Sequence, residues 1–251
     1  MTNQFNFSIY YYYKYYAYTY FLYGCIILYL PIIFYIKNKM INKQPLKSYF
    51  WNNLLGLWNI FLGISSFYGG YLLVPFLYND IKNNGLIKSI CCGSINYNEL
   101  TSNVVMLFNF SKFLEFIDTL FIVLRKSQLE FLHYYHHITT CIYCWWSGYL
   151  FISNGSHFAA INLIVHSIMY TYYALVAFNI NFLYPYRKLI TIIQTLQMLL
   201  GIFIILIWFN NCSSIYNNTH ILNQLFGLFM YISYGYLFSK LLFRYKSKQL
   251  E

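Results

Sequence analysis

Long apolar runs alternate with short polar intervals along the whole chain. Runs able to cross a hydrocarbon core of about 30 Å lie at roughly 18–36, 50–77, 103–124, 131–152, 158–178, 189–209 and 221–243. They predict seven transmembrane helices and an all-α polytopic membrane protein. The sixth run, Leu189 to Phe209, is the clearest. The second carries Gly69, Gly70 and Pro75 near its end and is expected to be broken or partly interfacial there. Each polar interval falls below the roughly 50 residues of a small independent domain. One membrane-embedded domain over residues 1–251 is therefore expected, with its core at about 30–245, an N-terminal segment at about 1–20 and a basic C-terminal end at about 244–251.

Composition agrees with this reading: 59% of residues are hydrophobic and only 9% charged, against about a quarter charged in soluble domains. No nucleic-acid partner is expected. Tyr, Phe, Ile, Asn and Lys are abundant together, which points to codon bias, so single aromatics and asparagines carry little weight. The start of the chain lacks a basic region ahead of a short apolar core, so the first helix is expected to remain in the mature protein. Lys and Arg set the orientation. One side carries Lys37, Lys39, Lys43, Lys47, Arg125, Lys126, Arg187, Lys188, Arg244, Lys246 and Lys248, the other only Lys14, Lys82 and Lys88. The basic side is read as cytosolic and the N-terminus as lumenal or external. The sequons at Asn6, Asn154, Asn211 and Asn217 then fall on the lumenal side, whereas Asn109 lies within a span. Cys91 or Cys92 would share an oxidising compartment with Cys212, so one disulfide joining the second and sixth loops is an expectation.

Ionisable groups are costly inside the membrane and mark a site by default. Lys112, Glu115, Asp118 and Thr119 lie on the third span within an arc of roughly 120°. His133, His136 and His137 on the fourth occupy roughly 100°. Asn162, His166, Met169, Tyr170 and Tyr173 line one face of the fifth, and Thr191, Gln194 and Gln197 that of the sixth. Measured from the cytosolic ends at about 1.5 Å per residue, Asp118, His136, Tyr170 and Gln197 lie about 8–12 Å deep and His166 about 18 Å. A polar chamber in the cytosolic half accommodates these depths.

Plainer readings exist for each group. The helix-three charges could be an ion pair pinning helices together. The three histidines could ligate zinc or iron, although one such box among six histidines is too few for a di-iron centre of the membrane desaturase kind. No metal is expected. His157 and His220 are read as solvated in lumenal loops, Cys141 and Cys144 as packing residues, and the tyrosines from Tyr10 to Tyr20 as an interfacial belt.

Taken in order, the polar residues resemble the signatures of the ELO family of membrane fatty-acid elongases, which are 3-ketoacyl-CoA synthases. Lys112-Phe-Leu-Glu115-Phe-Ile-Asp118-Thr119 is similar to KxxExxDT and runs on into Leu124-Arg125-Lys126. His133-Tyr-Tyr-His136-His137 is similar to HxxHH, Asn162 through His166 to Met169-Tyr170 to NxxxHxxMY, and Thr191 through Gln194 to Gln197 to TxxQxxQ. The resemblance covers about residues 30–245. It implies about seven helices enclosing a polar chamber and an acyl tunnel, condensing a long-chain acyl-CoA with malonyl-CoA to 3-oxoacyl-CoA, CO2 and CoA. His136 would accept the acyl group, with His133, His137 and His166 orienting it, polarising the thioester or moving protons. Lys112 would hold Glu115 and Asp118 or stabilise an enolate. Asn162, Tyr170, Tyr173, Gln194 and Gln197 would line the substrate site, and Arg125, Lys126, Arg187 and Lys188 would meet the CoA phosphates. No cofactor is implied. Expected partners are acyl-CoA, malonyl-CoA, membrane lipid, the ketoacyl reductase, dehydratase and enoyl reductase of the elongation cycle, and a second copy of the chain. The implied location is the endoplasmic-reticulum membrane, although Lys246 and Lys248 are out of register with a dilysine retrieval signal. The alternative from the residues alone is a seven-helix transporter or receptor with a buried polar path.

Overall fold

The computed structural model describes the backbone of residues 2–247, with side chains from 16 to 243 except at 95, 96, 181, 183 and 184. The sequon at Asn6, Lys14, the tyrosines before Tyr16, and Arg244, Lys246 and Lys248 lie outside the described side chains. Among the described residues the regular structure is entirely helical: α1 Thr2–Lys39, α2 Tyr49–Asn84, α3 Leu86–Cys92, α4 Glu99–Leu114, α5 Phe116–Leu124, α6 Phe131–Tyr149, α7 Gly155–Ala177, α8 Arg187–Asn211 and α9 Asn218–Ser247. Among the described residues five stretches are long and apolar enough to cross a membrane: Tyr16–Lys39, Tyr49–Asn84, Gly155–Ala177, Arg187–Asn211 and Asn218–Phe243. The third and fourth predicted spans fall short of that standard for physical reasons. The third is interrupted at Glu115 between α4 and α5, and α6 carries three histidines among its 19 residues.

The chain divides into two compact units, 1–46 with 109–151, and 47–108 with 152–251. In the first, Tyr29, Ile33 and Val123 form a buried cluster with Phe116, Tyr134 and Ile138 packed against it. Tyr29 stacks on Phe116 with ring centroids 4.2 Å apart, and the Trp145 indole N–H donates to Thr19 Oγ1 over 3.1 Å. After α1 the chain is clasped from α5: the Leu46 amide donates to the Leu124 carbonyl at 3.0 Å.

In the second unit, α2 runs unbroken for 36 residues through Gly69, Gly70 and Pro75. The expected break is absent because an interrupted helix would leave backbone groups unpaired in lipid. Its glycines instead permit close approach to α7. A Cβ on Gly56 would lie 2.5 Å from the Phe178 ring, and one on Gly69 3.2 Å from Leu163. Gly201 of α8 likewise accommodates Tyr231 of α9. Leu62, Met169, Tyr170, Tyr172 and Ile190 form the core cluster, with Trp58 and Val176 against it. Cys91 of α3 is disulfide-bonded to Cys212, immediately after α8, with Cα atoms 5.4 Å apart, while Cys92 is a free thiol. The Tyr216 hydroxyl donates to the Cys91 carbonyl, and burial raises that phenol above its ordinary range.

Candidate active site

The helix interruption at Glu115 is one residue long. Its amide still bonds back to Ser111, but the Asp118 amide bonds to the Glu115 carbonyl at 3.1 Å, three residues back. Here Lys112 and Glu115 meet, with Nζ 2.6 Å from Oε1 and side chains only 2% and 4% exposed. Two opposite charges this deeply buried are tolerable only as a pair. The sequence-predicted face on this segment is thus an ion pair at a local turn, followed on α5 by the half-buried Asp118 and the fully buried Thr119.

Thr119 connects the charged turn to the histidines. Its Oγ1 lies 2.8 Å from His133 Nε2 and 2.6 Å from the Tyr29 hydroxyl. On α6 the His133 and His137 rings are 4.3 Å apart, and His136 meets His137 edge to face at 5.5 Å. His137 is buried and its Nδ1 has no hydrogen-bond partner, leaving one lone pair or N–H uncompensated. Among the described residues, no group of three or more His, Cys, Asp or Glu side chains is arranged to hold a metal ion. Cys141 and Cys144 are buried free thiols, matching their reading as packing residues.

The residues expected on the fifth and sixth spans gather in the other unit. Asn162, His166 and Tyr170 are buried on α7, with the His166 and Tyr170 rings 5.3 Å apart, edge to face. The Gln194 amide of α8 meets Met169 Sδ at 3.1 Å. Gln197 is buried one turn further along α8. Tyr173 shares their face but is 40% exposed. Arg187 and Lys188 are exposed in the first turn of α8. Arg125 follows α5, and Lys126, the next residue, donates to the carbonyls of Ile41 at 2.8 Å and Lys43 at 3.1 Å. Its ammonium is the clasp of the α1 to α2 connection.

A family model described as "ELO: GNS1/SUR4 family" matches residues 6–250. The chain belongs to the ELO family. Curated relatives include very long chain fatty acid elongase 6 of Gallus gallus, 34% identical over 189 residues that cover 75% of this chain and 71% of that protein. Fatty acid elongase 3 of Trypanosoma brucei brucei is 32% identical, covering 87% and 81%. Very long chain fatty acid elongase 4 of Trypanosoma cruzi is 35% identical, covering 90% and 80%.

Two polar groupings of this ELO protein had no clear signal in the sequence. Tyr29 is one of 30 tyrosines and sits among apolar positions of α1, so nothing local marks it. The other corrects the reading of His157 as a solvated loop residue: it is 5% exposed in the first turn of α7. Ser89 donates its proton to Asp80, so it accepts from His157 Nε2 at 3.2 Å, and Asn84 donates to the other Asp80 oxygen at 2.9 Å. His157 Nδ1 is buried without a partner. Asp80 is therefore a buried acidic group within α2, beyond the predicted end of the second span. Nearby, the Tyr97 hydroxyl accepts the Ser156 amide at 2.7 Å, and burial pushes that phenol up to about 12. His220 has its ring 2.7 Å from Asn217 Oδ1 through Nδ1. The Asn154 sequon also departs from expectation: Asn154 is fully buried and exchanges two amide hydrogen bonds with Gln224, at 3.2 and 2.9 Å. No glycan fits there.

Proposed function

We propose that this ELO protein is the condensing enzyme of fatty-acid elongation, joining a long-chain acyl-CoA to the two-carbon unit of malonyl-CoA. The observation that carries the reading is the family match over residues 6–250, on a chain whose buried ionisable groups include the Lys112–Glu115 pair and His137 of α6.

The chemistry needs an acyl acceptor and a carbanion equivalent. Neutral imidazole is a competent nucleophile near pH 7, so His136 attacks the thioester carbonyl. The C–S bond breaks, CoA leaves as its thiol, and an acyl-imidazole forms where exclusion of water slows its hydrolysis. Malonyl-CoA loses CO2, and the resulting enolate carbon attacks the acyl carbonyl. The C–N bond to His136 then breaks, releasing 3-oxoacyl-CoA, and the departing imidazole nitrogen takes up one proton from solvent, the net proton that the condensation consumes. His133 and His137 orient groups, polarise carbonyls or move protons, and the resemblance to the family's motifs assigns His166 a role of the same kind. Lys112 supports Glu115 and Asp118 or stabilises the enolate oxygen. By resemblance to the family's motifs, Asn162, Tyr170, Tyr173, Gln194 and Gln197 are the substrate-binding candidates of the second unit. Arg125, Arg187 and Lys188 are the candidates for the CoA phosphates; Lys126 joins them if its clasp opens.

The protein is placed in the endoplasmic-reticulum membrane with its N-terminus lumenal and its C-terminus cytosolic. Family membership alone supports the endoplasmic-reticulum location, while the Lys and Arg bias and the Cys91–Cys212 bond, which belongs in an oxidising compartment, support the sidedness. The reductase, dehydratase and second reductase of the cycle are its expected partners.

The test is purified protein in nanodiscs with C2-labelled malonyl-CoA and a series of acyl-CoAs. Wild type is expected to release labelled 3-oxoacyl-CoA, and His136→Ala is expected to make none and to lack the acyl adduct seen by intact mass. A folded wild type that makes no product with any donor would overturn the reading and turn attention to transport.

A further inference from the structure

We infer that Tyr29 of α1 is a positioning residue for the condensation, fixing through Thr119 the tautomer and orientation in which His133 faces the reaction. The inference rests on the elongase reading and adds a residue from a helix that carries none of the family's motifs.

Counting protons decides the direction of the relay. Tyr29 Oη, Thr119 Oγ1 and His133 Nε2 form a chain with separations of 2.6 and 2.8 Å. Thr119 has one proton to give and two partners. If His133 Nε2–H donated to Thr119, Thr119 would donate to Tyr29, and the phenol proton would need an acceptor elsewhere. Tyr29 is 5% exposed, and among the described residues its hydroxyl has Thr119 as its only hydrogen-bond partner. That order strands a buried donor, which is costly. In the opposite order Tyr29 donates to Thr119 and Thr119 to His133 Nε2, so every proton is used. The imidazole is then held with its proton on Nδ1, leaving an N–H donor free of the relay. Which ring nitrogen carries the proton is set by the bond the other one makes.

The mechanical support is equally specific. The Tyr29 ring is fixed by stacking on Phe116 at 4.2 Å with 21° between planes, and by Ile33 and Val123 in the same buried cluster. Thr119 is 0% exposed, so water cannot replace either partner. Removing the phenol hydroxyl leaves the packing in place and frees Thr119 to turn away from His133.

The experiment measures kcat and KM for both substrates in wild type, Tyr29→Phe, Thr119→Val, Thr119→Ser and the Tyr29→Phe/Thr119→Val double variant, each corrected for folded fraction. Tyr29→Phe is expected to lower kcat about tenfold, the scale of one lost buried hydrogen bond, with KM for both substrates unchanged. Thr119→Val lowers kcat at least as far, Thr119→Ser restores it, and the double variant equals Thr119→Val alone. Full kcat in Tyr29→Phe, or losses that multiply in the double variant, would overturn the inference while leaving the elongase reading intact. An inactive wild type would instead count against that reading. A purely structural role would lower the folded fraction and unfolding temperature without producing the non-additive kcat.

Discussion

Lys112 and Glu115 give the sharpest test of what the intramembrane charges do. At 2.6 Å, with an effective dielectric of about 20, their attraction is roughly 6 kcal/mol. That gain offsets desolvation penalties of several kcal/mol for each ion, so the intact pair is close to neutral. Breaking it is not. Lys112→Met leaves a buried carboxylate, and Glu115→Gln a buried ammonium, each costing about 3–5 kcal/mol. At roughly 2–4 °C per kcal/mol for a chain of this size, each single variant should unfold about 10 °C below wild type. The double variant contains neither charge and should recover to within about 5 °C of wild type. Thermal unfolding in detergent followed by tryptophan fluorescence reads this directly, because Trp145 lies 6.1 Å from the Phe113 ring beside the pair. Condensation assays on the same samples separate two roles. Were Lys112 only a pin, the double variant would regain activity with its stability; were it also needed for the enolate, it would be stable and inactive. A Lys112→Met protein that melts with wild type, or a double variant whose loss equals the sum of the singles, would refute the electrostatic argument.

The remaining predictions concern the disulfide and Asn154. Maleimide counting should find four reactive thiols, Cys25, Cys92, Cys141 and Cys144, under denaturing non-reducing conditions and six after reduction. Cys212→Ser should leave Cys91 reactive, and Cys92→Ser should leave the bond intact; protection of Cys92 in place of Cys91 would contradict the pairing. The bond joins residues 121 apart, for which chain entropy gives roughly 5 kcal/mol. Helices that persist in a bilayer cannot sample that loop freely, so Cys212→Ser should cost roughly 2 kcal/mol, read as a lowered unfolding temperature. Glycosidase digestion should release nothing from Asn154, and Asn154→Leu should destabilise the fold by about 2 kcal/mol through the stranded Gln224 amide; a glycan at that position would refute the burial.

Hydrophobic runs made the all-helical membrane architecture legible because lipid leaves the backbone few alternatives. Local propensity misled at Gly69 and Gly70, where the missing side chains serve contact with Leu163 rather than a bend. Sidedness narrowed the disulfide to two cysteines but could not choose between them. Neighbouring residues on a helix point about 100° apart, so only one of Cys91 and Cys92 can turn towards Cys212, and that depends on how α3 lies against α8. The reading of His157 failed at a span boundary. Its burial follows from Asp80 and Ser89, which belong to other helices and leave no trace in the local pattern. The motif residues were legible as faces, but the break at Glu115 was not, since uninterrupted helical spacing is what the sequence displays there.

That break bears on how the chemistry is held in place. At about 1.5 Å per residue, α5 is only about 14 Å long, and α6 carries its histidines on an otherwise spanning-length helix. Neither could keep its polar groups in lipid unaided. Each is stabilised by partners within its own unit: Lys112 by Glu115, Thr119 by Tyr29 and His133, and the end of α5 by the clasp of Lys126 on the carbonyls after α1. The long apolar α1 thus supplies what the motif-bearing segments lack, a spanning helix whose few inward polar atoms are spent on them. Loss of the Tyr29 hydroxyl should alter the histidines before it unfolds the protein, because the stacking of Tyr29 on Phe116 survives it. In the other unit the buried polar groups are satisfied largely near helix ends, Asn154 with Gln224 and Ser89 with Asp80 and His157. There the same kind of substitution should act first on stability.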